Sequence, residues 1–546
     1  MMRPPLSPRH MAVAATHGSS RPVRLARLLT TVAVLSTMTA CTHLVPDATP
    51  PSVTTRDDAG IFRTTPDGID VPQNSSAAVT PAPTSLAPSD LATADALPWW
   101  HRLGQPGLGA TVDAALAQNP GLAATEKQLA AARHVLQASV SNAILPSIDV
   151  GASAARIRGP GIPAVSTSPD GNVQLRNTGA TLYDNWSTFV RASYDVDLFG
   201  ATRLDNDTRR KQVDAEAARL DAARLALASR VAVTTITVSA LQAQWVDAER
   251  AAALSDADLD TLQHRAALGA VDDDQVLSTR AQAASAHAAV AALDTQRATA
   301  RHALAALLGR TPDAAPPAAP FDPLRTPGAS NDATSADRGA ISTIPTVVPS
   351  ELLAQRPDIR AATAALQGSA AAVGVARAAM LPSLKLTAGL GRGGLLQPAL
   401  LSGPAWIWAA AAQLTAPIFH GGALREQVKG AQATFEASKA QYRQTVLQAF
   451  QEVADRLAAL DADRARIAAL QTRWESTRRS TARQRERAAL GAVPATAVRA
   501  AEQQDLAAAR DLIDARATQW QDLIGLYQAI GATTPPHPAQ NPDTAS

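Results

Sequence analysis

The chain has 546 residues, of which only 3% are aromatic, and a formal net charge of +2 with both signs mixed along its length. So few aromatics in so long a chain argue against a compact enzyme core and for extended helical packing. The charge balance leaves no basic face for nucleic acid. Ten histidines are scattered without HExxH or His/Cys ligand spacing, so no metal site is expected. Without a Ser/His/Asp, paired-carboxylate or phosphate-loop constellation, the expectation is a non-enzyme with no cofactor.

The N-terminus reads as a processing signal over residues 1–40. Arg21, Arg24 and Arg27 precede an apolar run from Leu28 to Ala40, too short to span a bilayer. The run ends at Met38-Thr39-Ala40-Cys41, and Cys41 is the only cysteine. One thiol makes no internal disulfide. The segment resembles a bacterial lipoprotein signal, which implies acylation of Cys41, and Thr42 after it favours the outer membrane. The alternative is an ordinary secretory peptide with an incidental cysteine. Beyond the signal no uninterrupted apolar run is long enough for a helical span, so a membrane crossing requires a closed β-barrel.

Residues 41–96 are a Pro/Ser/Thr/Ala-rich extended linker. A first repeat follows over residues 97–310. It opens with a helix from about Gly121 to Leu145, ended by Leu145-Pro146-Ser147. The period then changes to two, with Ile148, Val150, Ala152 and Ala154 apolar. After a loop from about Gly159 to Asn185 comes a second strand, with Val190, Ala192, Tyr194, Val196 and Leu198 apolar against Arg191, Ser193, Asp195 and Asp197. Asp195 and Asp197 are therefore the expected water-facing residues of a barrel lumen. A half-buried soluble sheet gives the same alternation.

From Ala201 to Leu268 there is neither proline nor glycine, which predicts one helix of about 65 residues, roughly 97 Å long. It ends at Gly269, suited to a left-handed reversal, and a return helix runs from about Asp273 to Leu308. Residues 311–346 form an inter-repeat linker, and residues 347–531 repeat the pattern before a tail at 532–546. The copy has a helix from Asp358 to Leu381, strands around Leu384–Leu390 and Trp406–Ala416, a long helix from Ala423 to Leu490, Gly491, and a return helix from Ala495 to Ile524. Arg265-Ala-Ala-Leu-Gly-Ala-Val271 recurs identically at Arg487–Val493, an offset of 222, while Leu145-Pro146-Ser147 recurs at Leu381 with an offset of 236. The 14-residue difference between these offsets falls between Pro146 and Gly200. The short and return helices together nearly match the long one, as a tube of paired helices requires. Four strands per chain are too few to close around a pore, so several chains must share one barrel.

These segments resemble the outer-membrane efflux proteins, the TolC-like exit ducts, and among them NodT-type lipoproteins of resistance-nodulation-division (RND) systems. The resemblance is carried by Arg191-Ala-Ser-Tyr-Asp-Val-Asp-Leu-Phe-Gly200, Pro417-Ile-Phe-His-Gly-Gly422, Val348-Pro-Ser-Glu-Leu-Leu-Ala-Gln-Arg-Pro-Asp-Ile-Arg360, and the helix ends Ala303–Gly309 and Leu526–Gly531. It implies an α+β membrane protein: a homotrimer with a 12-stranded barrel continuous with a coiled-coil helical tunnel. The implied partners are a periplasmic adaptor, an inner-membrane RND-type pump and outer-membrane lipid. Protein secretion and heavy-metal efflux are the alternatives in cargo, and a lipid-anchored structural coiled coil is the alternative in kind. The helix tips, Arg265 with Gly269 and Arg487 with Gly491, are the expected adaptor contacts; helix capping is the competing explanation. Family members commonly carry a ring of aspartates past the second tip. Ala500 stands nearest that place here, so its neighbours Arg499 and Glu502 are the expected gate residues.

Overall fold

A computed structural model describes residues 44–50, 61–63, 98–103, 106–159, 164–167, 173–176, 181–314, 347–349, 355–394 and 406–532. Cys41, the signal segment, most of both linkers and the tail lie outside the described residues. In chain order the elements are β1 (Ile61–Arg63), α1 (Trp99–Arg102), α2 (Pro106–Gln118), α3 (Pro120–Ile144), β2 (Ser147–Gly159), β3 (Ala164–Thr167), β4 (Val173–Arg176), β5 (Thr181–Val196), α4 (Ala201–Ala267), α5 (Asp273–Leu307), β6 (Val347–Pro349), α6 (Pro357–Ala378), β7 (Ser383–Gly394), β8 (Trp406–Thr415), α7 (Ala423–Ala489) and α8 (Ala495–Ala529). The chain forms two compact units, one around residues 143–205 and 370–431 and the other holding most of the helices. The sequence repeat and the compact units do not coincide, because each unit takes segments from both repeats.

In the first unit an antiparallel sheet has the order β2-β5-β7-β8. Its registers put like with like: Ile148, Ala192, Ala388 and Ala410 form one row, and Val150, Val190, Leu390 and Trp408 another. Each hairpin comes from one repeat, and β5·β7 joins the two. The first hairpin is longer than its alternation suggests. β5 begins at Thr181, and β3 pairs with β4 inside the stretch expected to be loop. The chain just past Cys41 is also held in this unit. Arg377 Nη1 donates to the Leu44 carbonyl at 3.0 Å, and a Cβ at Gly374 would lie 2.9 Å from Leu204 Cδ1 and 3.0 Å from Val45 Cγ2, so glycine lets these side chains pack close to the helix.

In the second unit α4 and α7 each run 67 residues, about 100 Å at the helical rise. One window of α4 is apolar enough by composition to cross a membrane, and 56% of it is buried inside the protein. It supplies Ala228, Val231, Ala232 and Ile236 to a core completed by Val453 and Leu457 of α7 and Trp520 and Ile524 of α8. Trp99 of α1 enters this core and stacks on Tyr527, ring centroids 5.5 Å apart. Small alanines on the facing stripes let the helices approach closely, and arginines lace the second hairpin. Arg456, Arg466, Arg473 and Arg485 of α7 reach Asp522, Asp514, Asp511 and Glu502 of α8 in antiparallel order. The Arg466–Asp514 and Arg473–Asp511 pairs are exposed on both sides, and such pairs are worth under about 1 kcal/mol each, so they mark register more than they supply stability.

The short and return helices meet end to end, as their summed lengths require. In the first repeat Asn119, just before Pro120, donates from Nδ2 to the Leu307 carbonyl at 2.8 Å. In the second repeat Arg356, just before Pro357, donates to the carbonyl of Ala529, the repeat mate of Leu307. Arg356 also forks onto Asp358 and reaches Glu452 at 2.7 Å. Burial works against its charge, but the hydrogen bonds it donates to these two carboxylates outweigh burial and hold its pKa above the ordinary arginine value.

Candidate functional site

Two places carry the chemistry that the sequence singles out: the polar side of the sheet and the ends of the helical hairpins.

On the sheet, residues that alternate with the apolar rows pair across strands. Lys385 Nζ lies 3.9 Å from Asp195 Oδ1, its register partner. Asp149 stands opposite Arg191, and Ser147 and Ser153 share hydrogen bonds of 2.7 Å with Ser193 and Ser187. One face is thus a field of charge and hydroxyl while the other is Ile, Val, Leu and Ala. Toward the β2–β5 turn the apolar rows give way to Arg156 and Arg158, and Arg392 lies over the Trp406 ring at 4.7 Å. Asp197 does not belong to this face. β5 ends at Val196, and Asp197 Oδ2 accepts the backbone N–H of Arg203 at 2.9 Å, capping the first turn of α4. Its apolar neighbour Leu198 continues the period-two pattern past the point where the strand has stopped.

At the hairpin ends the identical heptapeptides fold identically. Gly269 and Gly491 have φ of 69° and 71°. The N–H of Ala270 returns to the Arg265 carbonyl at 2.9 Å and that of Ala492 to the Arg487 carbonyl at 2.8 Å. This double-bonded reversal satisfies carbonyls that the helix end would leave open, and it accounts for glycine but not for arginine. Both guanidinium groups are exposed, and among the described residues neither has an ion-pair partner. Leu268 and Leu490 beside them are 83% and 84% exposed.

Arg499 and Glu502 part company. Arg499 crosses to the first hairpin, where Nε donates to Asp258 and Nη2 to Thr261 Oγ1 at 2.9 Å. Glu502 instead accepts from Arg485 of its own hairpin at 2.8 Å. Gln503 donates to Ser255 and Gln521 to Thr237, so α8 is tied to α4 at several levels. Asp258 and Thr261 carry no signal in the sequence that could pair them with Arg499. A second unexpected pair lies farther along the second hairpin, where the buried Asp463 of α7 stands beside the half-buried Asp522 of α8.

Known proteins are similar to this chain in sequence and fold. The outer membrane efflux protein family matches residues 111–310 and 348–532, that is, both repeats. Pyoverdine export outer membrane protein OpmQ of Pseudomonas putida is 30% identical over 367 residues, covering 66% of this chain and 72% of OpmQ. Cation efflux system protein CusC of Escherichia coli is 27% identical over 360 residues, covering 65% of this chain and 74% of CusC. The open-state Neisseria gonorrhoeae MtrE outer membrane channel superposes with a TM-score of 0.61 at 27% identity, covering 84% of this chain and 97% of MtrE. The fold is that of the trimeric outer-membrane efflux channels, mostly helical with a small antiparallel sheet. The chain belongs to the outer membrane efflux protein family, as an outer-membrane channel component of an efflux system and not an enzyme.

Proposed function

We propose that three copies of the chain close one 12-stranded barrel. The assembled duct passes small toxic molecules outward, driven by an inner-membrane RND-type pump and coupled through a periplasmic adaptor. The observation that supports this most is the open sheet: among the described residues β2 and β8 are each unpaired on their outer side, and their apolar rows are exposed. A free edge is not tolerated in hydrocarbon, and four strands enclose no pore. Asp195 and Lys385 then line the wet interior. The cargoes named for the relatives differ, pyoverdine for one and cations for another, which supports a duct whose pump selects the cargo.

In this reading Cys41 carries a covalent lipid. The hold of Arg377 on Leu44, three residues past it, supports an anchor beside the strand unit. Arg265, Gly269, Arg487 and Gly491 present the adaptor contacts, and Arg499 latches one hairpin to the other as a periplasmic gate.

The test replaces both tip arginines, Arg265→Glu with Arg487→Glu. Loss of favourable dipole contacts costs under about 1 kcal/mol at each end, too little to unfold helices of this length. The double variant should assemble, reach the outer membrane and conduct ions in planar bilayers like the parent, with drug export crippled. Normal export by a well-assembled variant would remove the docking role and leave both arginines as caps. In the same preparation the mass of the mature N-terminal peptide should show the lipid on Cys41; an unmodified cysteine removes the anchor.

A further inference from the structure

Along β7 the polar face of the sheet loses its side chains. After Lys385 and Thr387 the next residues on that face are Gly389, Gly391 and Gly393, and β8 sets only Ile407, Ala409 and Ala411 beside this run. The backbone needs glycine at one of the three. A Cβ at Gly391 would lie 2.5 Å from the Thr188 carbonyl oxygen, where β5 and β7 come close. At Gly389 the nearest atom would be 3.7 Å away and at Gly393 3.4 Å, ordinary contacts, and neither glycine has a positive φ. What glycine provides at those two positions is space, and the result is a recess of about 600 Å³ in the sheet surface.

Phe189 of β5 stands opposite Gly391, and Arg191 opposite Gly389. Phe189 leans the other way, over Gly151, where a Cβ would run into its ring. The recess therefore has apolar sides, Phe189 and Ile407, and a floor of bare backbone. The Arg191 guanidinium lies over the Phe189 ring at 4.8 Å. Asp149 is its register partner, yet among the described residues no hydrogen bond or ion pair occupies Arg191. Lys385 is held by Asp195, and Arg392 lies over Trp406, so Arg191 is the cation at the recess with donors to offer. Of the charged residues that line it, three are basic and only Asp149 is acidic. We infer that this recess is a transit site for flat aromatic anions, with the ring on the glycine floor between Phe189 and Ile407 and the acid group on Arg191. A planar guanidinium matches a carboxylate in two parallel hydrogen bonds, and a flat ring fits where side chains are missing. This rests on the reading that the polar face lines the duct, and it adds a weak preference in the wall to selection by the pump. The recess is open to the duct, which suits a site that cargo must also leave.

Ion current through the full-length protein in planar bilayers tests the site, with naphthoate, naphthylmethanol and cyclohexanecarboxylate added in turn. Naphthoate should interrupt the parent's current at a several-fold lower concentration than either of the other two. Gly389→Val and, independently, Ala409→Leu fill the recess from its two strands. Each should raise the naphthoate concentration for half-block several-fold, and if one fails to assemble the other decides. Gln413→Leu adds bulk to the same face outside the recess and should be blocked like the parent. Arg191→Gln should remove the advantage of naphthoate over naphthylmethanol and leave the naphthylmethanol block as it was. Equal naphthoate block in the parent and the filled variants overturns the recess. An advantage that survives Arg191→Gln overturns the contact with the acid group. A parent that conducts and is not blocked by naphthoate overturns the site and leaves the duct standing. A parent that carries no current overturns the duct reading and the site with it.

Discussion

Asp463 sits on α7 with 6% of its surface exposed, and among the described residues its Oδ2 has no hydrogen-bond partner. Burial, and then the neighbouring charge of Asp522, push its carboxyl up to about 6 from an ordinary 3.8, with Arg466 pulling the other way. Asp522 is itself engaged by Arg456 at 2.6 Å, so Asp463 is the member left to hold the shared proton. Because the folded protein binds this proton more tightly than the unfolded chain, the contribution of Asp463 to stability is greatest below about pH 4. It declines as pH rises toward 6 and levels off above. Asp463→Asn keeps the shape and a hydrogen-bond donor toward Asp522 while removing the titration. It should stabilise the assembled protein at pH 8 by about 1–3 kcal/mol and leave pH 4 nearly unchanged. Thermal melts of the assembly at both pH values measure this, and an equal gain at both would show that ionisation is not the cause.

At the scale of elements, Gly269 and Gly309 end their helices with nearly the same φ, 69° and 70°, in different surroundings. A Cβ at Gly269 would meet nothing within 4 Å, whereas at Gly309 it would fall 2.7 Å from the Gln118 carbonyl oxygen. Gly269→Ala should therefore cost only the left-handed strain, about 1–2 kcal/mol. Gly309→Ala should cost about 3 kcal/mol or more, by pushing α2 and α5 apart where the short and return helices meet. Melting temperature and proteolysis of the α3–α5 junction read the difference; equal losses would refute the crowding.

The same elements show what a sequence makes legible. Both long helices could be bounded to within a residue, because nothing inside Ala201–Ala267 breaks a helix and glycine closes it. The return helix α8 runs to Ala529, past the expected end at Ile524, because Gly525 is not a stop. It is the place where Arg456 lies so close that a Cβ would be 2.7 Å from Nε. Helix α2 went unseen since Gly107 and Gly109 weaken its pattern, and the adjoining Trp99 and Trp100 reach partners far along the chain. β5 starts at Thr181, nine residues before Val190, because Asp184, Asn185 and Ser187 blur the alternation there. At the candidate gate, Arg499 was legible as a residue, but its partner Asp258 lies 241 positions away.

For the molecule as a whole, that contact is the link whose loss should show in transport. Arg499 joins the hairpins of the two repeats near their ends, with side chains of Arg499 and Asp258 only 16% and 20% exposed. A charged hydrogen bond of this kind is worth about 1.5–3 kcal/mol. Arg499→Ala should therefore raise the open fraction about 10-fold or more, seen as larger single-channel conductance and a leakier outer membrane. Arg499→Lys should restore part of the closure, and wild-type conductance in the alanine variant would dismiss the latch.

Insertions and deletions meet this molecule unevenly. Side chains in a strand change face at every residue, so losing one position from β2 between Ser147 and Ala154 would turn each apolar side chain beyond it to the opposite side. A loss between Gly159 and Thr181 leaves the faces of β2 and β5 as they are. The repeats record such an event: one copy has gained or lost 14 residues between its strands, and neither hairpin register has shifted. What the chain displays beyond its strands is open to rewriting by whole segments, while inside a paired register not a single residue can be gained or lost.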